Sequence, residues 1–448
     1  MSEQATGTIG KGFKWAWTSR AVSLAINVLF MGYLTFYCTD VLNMSPGLVG
    51  GLLLASKIFD GVTDIIAGFI IDRTHSRWGQ ARPYQLFILP CWILTIMIFA
   101  VPNIGVTAQA VYIFILYTLI NSVCATFLNA SDAVFMARSI KGEKDRVKVT
   151  SFAGALVMVG CIIVSIIMPQ ILEQIGVNHS GWMIMAAAFG IPLGLLGTAR
   201  FFFCKEYEEN NAKKQDQKKI SLTESVKLLF RNKYILILTL TLLLFYIQSN
   251  IFTAVQTYYF KYIVGNIGLA SVVGAANMIV PIIIAFTPML SRKLGTVKIL
   301  RIAMFLGVIG YAIRTIGGTN IVTLLAGTVL SMVATVPITA LINVYIVDCM
   351  DYGAWKNGKR IDGLISSVTA FGKKIGGSLA SALVGIIMGA AGYNGALEVQ
   401  SASANTSIIV LFNYIPLFIT IAMFMLSIWY DIDKYLPKIK KELQEENT

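Results

Sequence analysis

The chain has 448 residues, 56% hydrophobic and 13% charged, with a formal net charge of +13 and a mean hydropathy of +0.71. Soluble domains carry about 25% charged residues and rarely show repeated long apolar runs, so a soluble enzyme or a nucleic-acid-binding domain does not fit this composition. Two histidines leave almost no material for a metal centre, and the cysteines (38, 91, 124, 161, 204 and 349), with no CxxC pair, read as small apolar packing residues.

A membrane-spanning helix needs about 20 mostly apolar residues. Twelve such runs follow one another, at about 14–38, 46–71, 83–101, 108–136, 149–172, 182–203, 233–260, 267–290, 299–316, 321–347, 363–391 and 405–430. The expected fold is an all-α polytopic membrane protein. The first run is too long for a signal peptide and lacks a small-residue cleavage site. With the N-terminus inside, all of the 36 Lys and Arg fall on the cytoplasmic side except Lys57, Lys261, Arg314, Lys373 and Lys374, of which Lys261 and Arg314 are assigned to outer loops. This positive-inside asymmetry predicts a cell-membrane protein with both termini cytoplasmic. Its excess basic charge would face anionic lipid headgroups rather than nucleic acid.

Span two carries the first unusual chemistry. Asp60 and Asp64, four residues apart, share a helical face with Lys57 in an otherwise oily segment. A charge at the bilayer centre costs at least about 2.5–3.5 kcal/mol on insertion scales. Two carboxylates on one face also repel, so one should hold a proton or both should share a cation. A static salt-bridge network is the other reading, with Lys57 satisfying one carboxylate and leaving the second over. Span four offers Thr126 and Asn129, three apart, as further oxygens for a cation. Asp132, nearer the inner surface, is expected to pair with Arg138 or another inner-loop base, with substrate contact as the alternative.

The segment "CKEYEENNAKKQDQKKISLTESVKLLFRNK", 204–233, divides the chain near its middle. It suggests an N-terminal six-helix bundle (1–204), a cytoplasmic linker (205–232) and a C-terminal six-helix bundle with a tail (233–448). Within the linker, "SLTE" at 221–224 reads as a capping box opening a short amphipathic helix. Short basic turns recur at matching places, with Arg73 after span two and Arg292 and Lys293 after span eight; these three are candidate gating residues. The pattern resembles the major facilitator superfamily, whose halves are pseudo-symmetric and whose substrate sits near the midplane. Span eleven places Lys373 and Lys374 mid-membrane. Polar candidates for a substrate cavity are Gln248, Asn250 and Gln256 on span seven, Asn277 on span eight and Asn343 on span ten.

Three stretches resemble the glycoside–pentoside–hexuronide:cation symporter family over nearly the whole chain. They are "FYCTDVLNMSPGLVGGLLLASKIFDGVTDIIAG" (36–68), "SRWGQARPY" (76–84) and "DCMDYGAWKNGKRIDGLISS" (348–367). The resemblance implies symport of a sugar-like solute with Na+ or H+, with Asp60, Asp64 and Thr126 on the cation, and Lys374 at the family's KxG lysine. Asn129 and Leu24 stand where the family pattern has sugar-binding aspartates. Arg20 lies near where relatives carry an acid, and the span-five arginine is replaced near Ala153 or Gly154. The cation machinery thus looks kept and the substrate machinery rebuilt, with Asn129, Asp132 and Lys374 as substrate candidates and a balance that leans toward an acidic solute. No cofactor is expected beyond the coupling ion, and the expected unit is a monomer without an enzyme's nucleophile or metal motif. An uncoupled facilitator, or a transporter-like sensor, is the competing reading.

Overall fold

The computed structural model describes residues 10–140, 143–206, 232–357, 362–436, 438–439 and 442; the linker capping box at 221–224 lies outside them. Among the described residues, helices dominate and the only extended pairing is an isolated bridge between Ser76 and Gly79. Ten segments are long and apolar enough to cross a membrane, from Lys11–Val41 at the N-terminal end to Ala402–Lys434 at the C-terminal end. Two more helices, Pro46–Arg73 and Asp362–Ala390, fall where spans two and eleven were expected.

Local sequence explains where many helices start. Ser45 accepts a hydrogen bond from the Leu48 amide, with Pro46 at the first helical position of span two. Asn178, Asn232 and Ser401 cap spans six, seven and twelve in the same way. Where spans nine and ten cross, a Cβ at Gly310 would lie 2.7 Å from the Gly327 carbonyl oxygen, so only small residues allow the approach. π turns interrupt four spans, at Tyr37–Val41, Leu119–Ala125, Tyr259–Val264 and Val410–Tyr414.

The chain divides into two compact units, Met1–Lys213 with Tyr393–Glu398, and Lys214–Gly392 with Val399–Thr448. The first unit therefore includes a piece of chain far from the rest in sequence, where Tyr393 donates a 2.6 Å hydrogen bond to buried Asp40. Each unit carries the same fastener. In the first, Glu206 accepts from the backbone amides of Gln80, Ala81 and Arg82 at 2.9, 2.8 and 2.6 Å. Arg82 returns bonds to the carbonyls of Phe201 and Phe202. In the second, Asp433 accepts from the Val297 amide and the Thr296 hydroxyl, and Arg301 bonds the carbonyls of Ser427, Ile428 and Tyr430.

Arg314 corrects one expectation. It is not an outer-loop residue but lies fully buried near the end of span nine, Thr296–Gly317. It bonds Asn413 Oδ1 at 2.9 Å and the Phe412 carbonyl, both in the span-twelve π turn, and its guanidinium lies 4.3 Å from the Phe412 ring centre. A long guanidinium can fold back into a helix packing when carbonyls freed by a π turn wait there.

Candidate functional site

Spans two and four build the site within the first unit. Asp60 is 4% exposed. Its Oδ2 pairs with Lys57 Nζ at 3.0 Å, one turn earlier on the same helix, and its Oδ1 accepts a hydrogen bond from the Ser122 hydroxyl. Asp64, half-buried, accepts from Thr126 Oγ1 at 3.1 Å. Thr126 also reaches the Asn121 carbonyl at 3.2 Å, and Lys57 approaches Asn121 Oδ1 at 3.4 Å. The Lys57 ammonium lies 5.6 Å from the Tyr117 ring centre.

The π turn Leu119–Ala125 makes this arrangement possible. A π turn widens the helix by one residue and takes carbonyls out of the regular ladder, a feature frequent at functional sites. Here it presents Asn121 and Ser122, with Thr126 directly after it, to the carboxylates of span two. Two carboxylates, two hydroxyls and two amide-type oxygens are gathered with one ammonium. Lys57 pairs with Asp60, and a hydroxyl meets each carboxylate. Hard cations take several oxygen ligands, and a proton needs one carboxylate with a partner.

Sequence reasoning brought Asp60, Asp64 and Thr126 together but missed Ser122 and Asn121. Their only local signal is that Ser122 and Thr126 stand four apart, hence on one helical face. Asn129, paired with Thr126 in the sequence reading, is exposed, and no hydrogen bond from it to either carboxylate is described. Asp132 departs from its expected partner. It pairs through one oxygen with Arg20 and Arg200, both at 2.6 Å, while Arg138 stands 3.9 Å from Glu206. The reason is proximity of three helices: Arg20 on span one and Arg200 on span six are both buried against span four, whereas Arg138 lies beyond it toward the fastener.

The other candidates scatter. Gln248 is buried and bonds Thr420 Oγ1 at 2.8 Å and the Pro416 carbonyl, so it joins spans seven and twelve instead of facing an opening. Gln256 bonds the Ala270 carbonyl, and Asn277 the Val273 carbonyl of its own helix. Asn250 is exposed and bonds the Tyr246 carbonyl; Asn343 is exposed. The side chains of Lys373, Lys374 and Arg292 lie outside the description. Arg73 is exposed with its guanidinium 3.8 Å from the Phe69 ring centre, and Lys293 is exposed.

A polytopic helical body with a buried acid–hydroxyl site between two of its spans is consistent with a membrane transporter. Residues 21–434 match the family model described as MFS/sugar transport protein, and the chain belongs to that family. It is 27% identical to an isoprimeverose transporter of Lactiplantibacillus pentosus over 97% of this chain and 91% of that protein. It is 26% identical to the putative glycoside/cation symporter YagG of Escherichia coli, covering 92% and 90% of the two chains. Among solved structures, an inward-facing bacterial homologue of the lysosomal transporter Spinster superposes with a TM-score of 0.65 at 12% identity, over 94% of this chain and 97% of that one, which bears on the fold alone.

Proposed function

We propose that this chain is a symporter that imports a glycoside-like solute together with one monovalent cation, Na+ or H+. The observation that carries the reading is the Asp60–Asp64 pair on one helical face, met by Ser122 and Thr126 of span four, with Lys57 beside Asp60. The relatives, an isoprimeverose transporter and a putative glycoside/cation symporter, support the solute class and the coupling. Cation entry offsets carboxylate charge, so the loaded site can change its surroundings at a lower cost. Substrate contacts are assigned to Asn129, Asp132 and Lys374, and control of the cytoplasmic side to Arg73, Arg292 and Lys293. The protein would sit as a monomer in the cell membrane with both termini in the cytoplasm, following the Lys/Arg asymmetry.

The deciding experiment is uptake of isoprimeverose and related glycosides into membrane vesicles under imposed sodium and proton gradients. Accumulation driven by one of the two gradients, and lost in Asp60→Asn and Asp64→Asn, is expected. Uptake that only equilibrates the solute and ignores both gradients would leave an uncoupled facilitator and retire the cation site.

A further inference from the structure

The end of span six and the turn after span two meet in a patch that the cation site does not use. Along the helix His179–Phe203, Ile184, Ile191, Leu195 and Phe202 are exposed at 63%, 57%, 59% and 60%, whereas Gly190, Gly194, Gly197 and Phe201 are buried. The exposed four recur at helical spacing and so share one face, and in a membrane-spanning helix an exposed apolar face meets hydrocarbon. Phe203, the last residue of the helix, is 72% exposed. The lipid-facing stripe therefore continues into the last turn of the span.

A pinned turn brings basic groups to that point. Ser76 Oγ donates to the Gly79 carbonyl at 2.6 Å and accepts from the Trp78 amide at 3.2 Å. Gly79 holds φ at +115°, where residues with a side chain are strained. Trp78 sets its ring edge-on to Phe201, with 5.6 Å between ring centres, and stays 42% exposed. The Arg77 guanidinium lies 4.7 Å from the Trp78 ring centre. The Arg82 guanidinium lies 4.9 Å from the Phe201 ring centre and bonds the Phe202 carbonyl. Arg77 and Lys205 are exposed, and among the described residues no carboxylate pairs with either. Glu206, next to Lys205, has its side chain only 4% exposed and turned onto three backbone amides.

We propose that Arg77, Trp78 and Lys205 bind the headgroup of an anionic phospholipid whose acyl chains lie along the Phe202 face of span six. A guanidinium beside an aromatic ring still offers its planar fork of N–H groups to phosphate oxygens. Basic groups next to the end of a spanning helix recognise acidic headgroups, and a tryptophan at that level sits at the border between hydrocarbon and water. A zwitterionic lipid carries an ammonium beside its phosphate and gains less from Arg77 and Lys205. The overall positive charge alone gives only diffuse attraction to a membrane. A pinned turn, an aromatic support and a lipid-facing stripe make this patch a localised site. It does not depend on which solute the chain carries.

The test uses the full-length protein in phosphatidylcholine nanodiscs, titrated with dibrominated phosphatidylglycerol or dibrominated phosphatidylcholine, because bromine quenches a neighbouring indole. The Trp78 signal is the difference between wild type and Trp78→Phe. Brominated phosphatidylglycerol should quench it at a mole fraction at least about fivefold lower than brominated phosphatidylcholine, as expected for basic groups at a membrane surface. Arg77→Gln and Lys205→Gln should each cut that preference by about half or more, and the double variant should bring the two lipids to parity. Lys148→Gln removes an exposed basic group from the start of span five and should leave the preference unchanged. An equal loss in Lys148→Gln would reduce the patch to diffuse attraction and overturn the proposal. Excess inorganic phosphate at matched ionic strength should leave the quenching as it is; loss of the preference would mean a free phosphate ligand and overturn the lipid assignment. Equal quenching by the two lipids in wild type, or none by either, would overturn it as well.

Discussion

The two units use the same fastener and fill their interiors differently. Glu206 with Arg82 in the first, and Asp433 with Arg301 in the second, tie the turn before one span to the end of another through backbone amides and carbonyls. Those contacts involve main-chain atoms, so they can recur wherever the chain path recurs, whatever the neighbouring side chains. Inside, the first unit holds Lys57, Asp60 and Asp64 in one group and Arg20, Asp132 and Arg200 in another. The second holds Arg314 among carbonyls and rings, with no carboxylate described beside it. The two clusters Lys57–Asp60–Asp64 and Arg20–Asp132–Arg200 thus both lie in the first half of a repeated scaffold.

The largest test of that division is Asp60→Asn. It removes one of the two carboxylates and leaves Lys57 without its partner, so gradient-driven uptake should fall by about a hundredfold or more while exchange persists. Retained accumulation would move the ion chemistry out of the first unit. Next, Thr126→Val and Ser122→Ala each delete one hydroxyl from a carboxylate. Each should raise the cation concentration for half-maximal uptake by about tenfold, in line with about 1–2 kcal/mol per hydrogen bond to a charged group. An effect confined to solute affinity would reassign these hydroxyls.

The fasteners offer a quantitative comparison. Glu206→Ala strands three amides, whereas Asp433→Ala strands one amide and a hydroxyl that can turn elsewhere. Detergent-solubilised protein should lose about 2–4 kcal/mol in the first case and about 1 kcal/mol in the second, read by thermal unfolding. Equal losses would mean that the two fasteners are equivalent after all. The smallest effect is expected for Arg314→Met. A buried charge without a counter-ion costs desolvation that an apolar chain of similar length avoids, so stability should change by no more than about 1 kcal/mol. A collapse of folding would show that the span-twelve π turn depends on the guanidinium.

The sequence made the helices legible because twenty-residue apolar runs and buried charges are both costly to place by accident. Asp60 and Asp64 were readable for that reason, and Thr126 through the family resemblance. The oxygens of Asn121 and Ser122 were not, since a π turn depends on how a whole helix packs and leaves no local spacing rule. One extra residue in the turn also advances everything after it by about 100°. Arg314 was misread because charge near a span end normally means a loop, and its carbonyl partners lie about a hundred residues away. The direction of Arg20 was hidden likewise, because composition counts charge and does not say which way it points.

The short segment Tyr393–Glu398 bears on modularity. The first unit is not encoded by one continuous stretch, since Tyr393 supplies a hydroxyl to Asp40 and Gly395 packs against the Thr39 backbone too closely for any side chain. Cutting the gene at the central linker would therefore yield a front fragment missing part of its own fold. Such a fragment should be degraded when made alone and rescued when its complement is produced in the same cell. The two halves can be duplicates in architecture and still be unable to live apart.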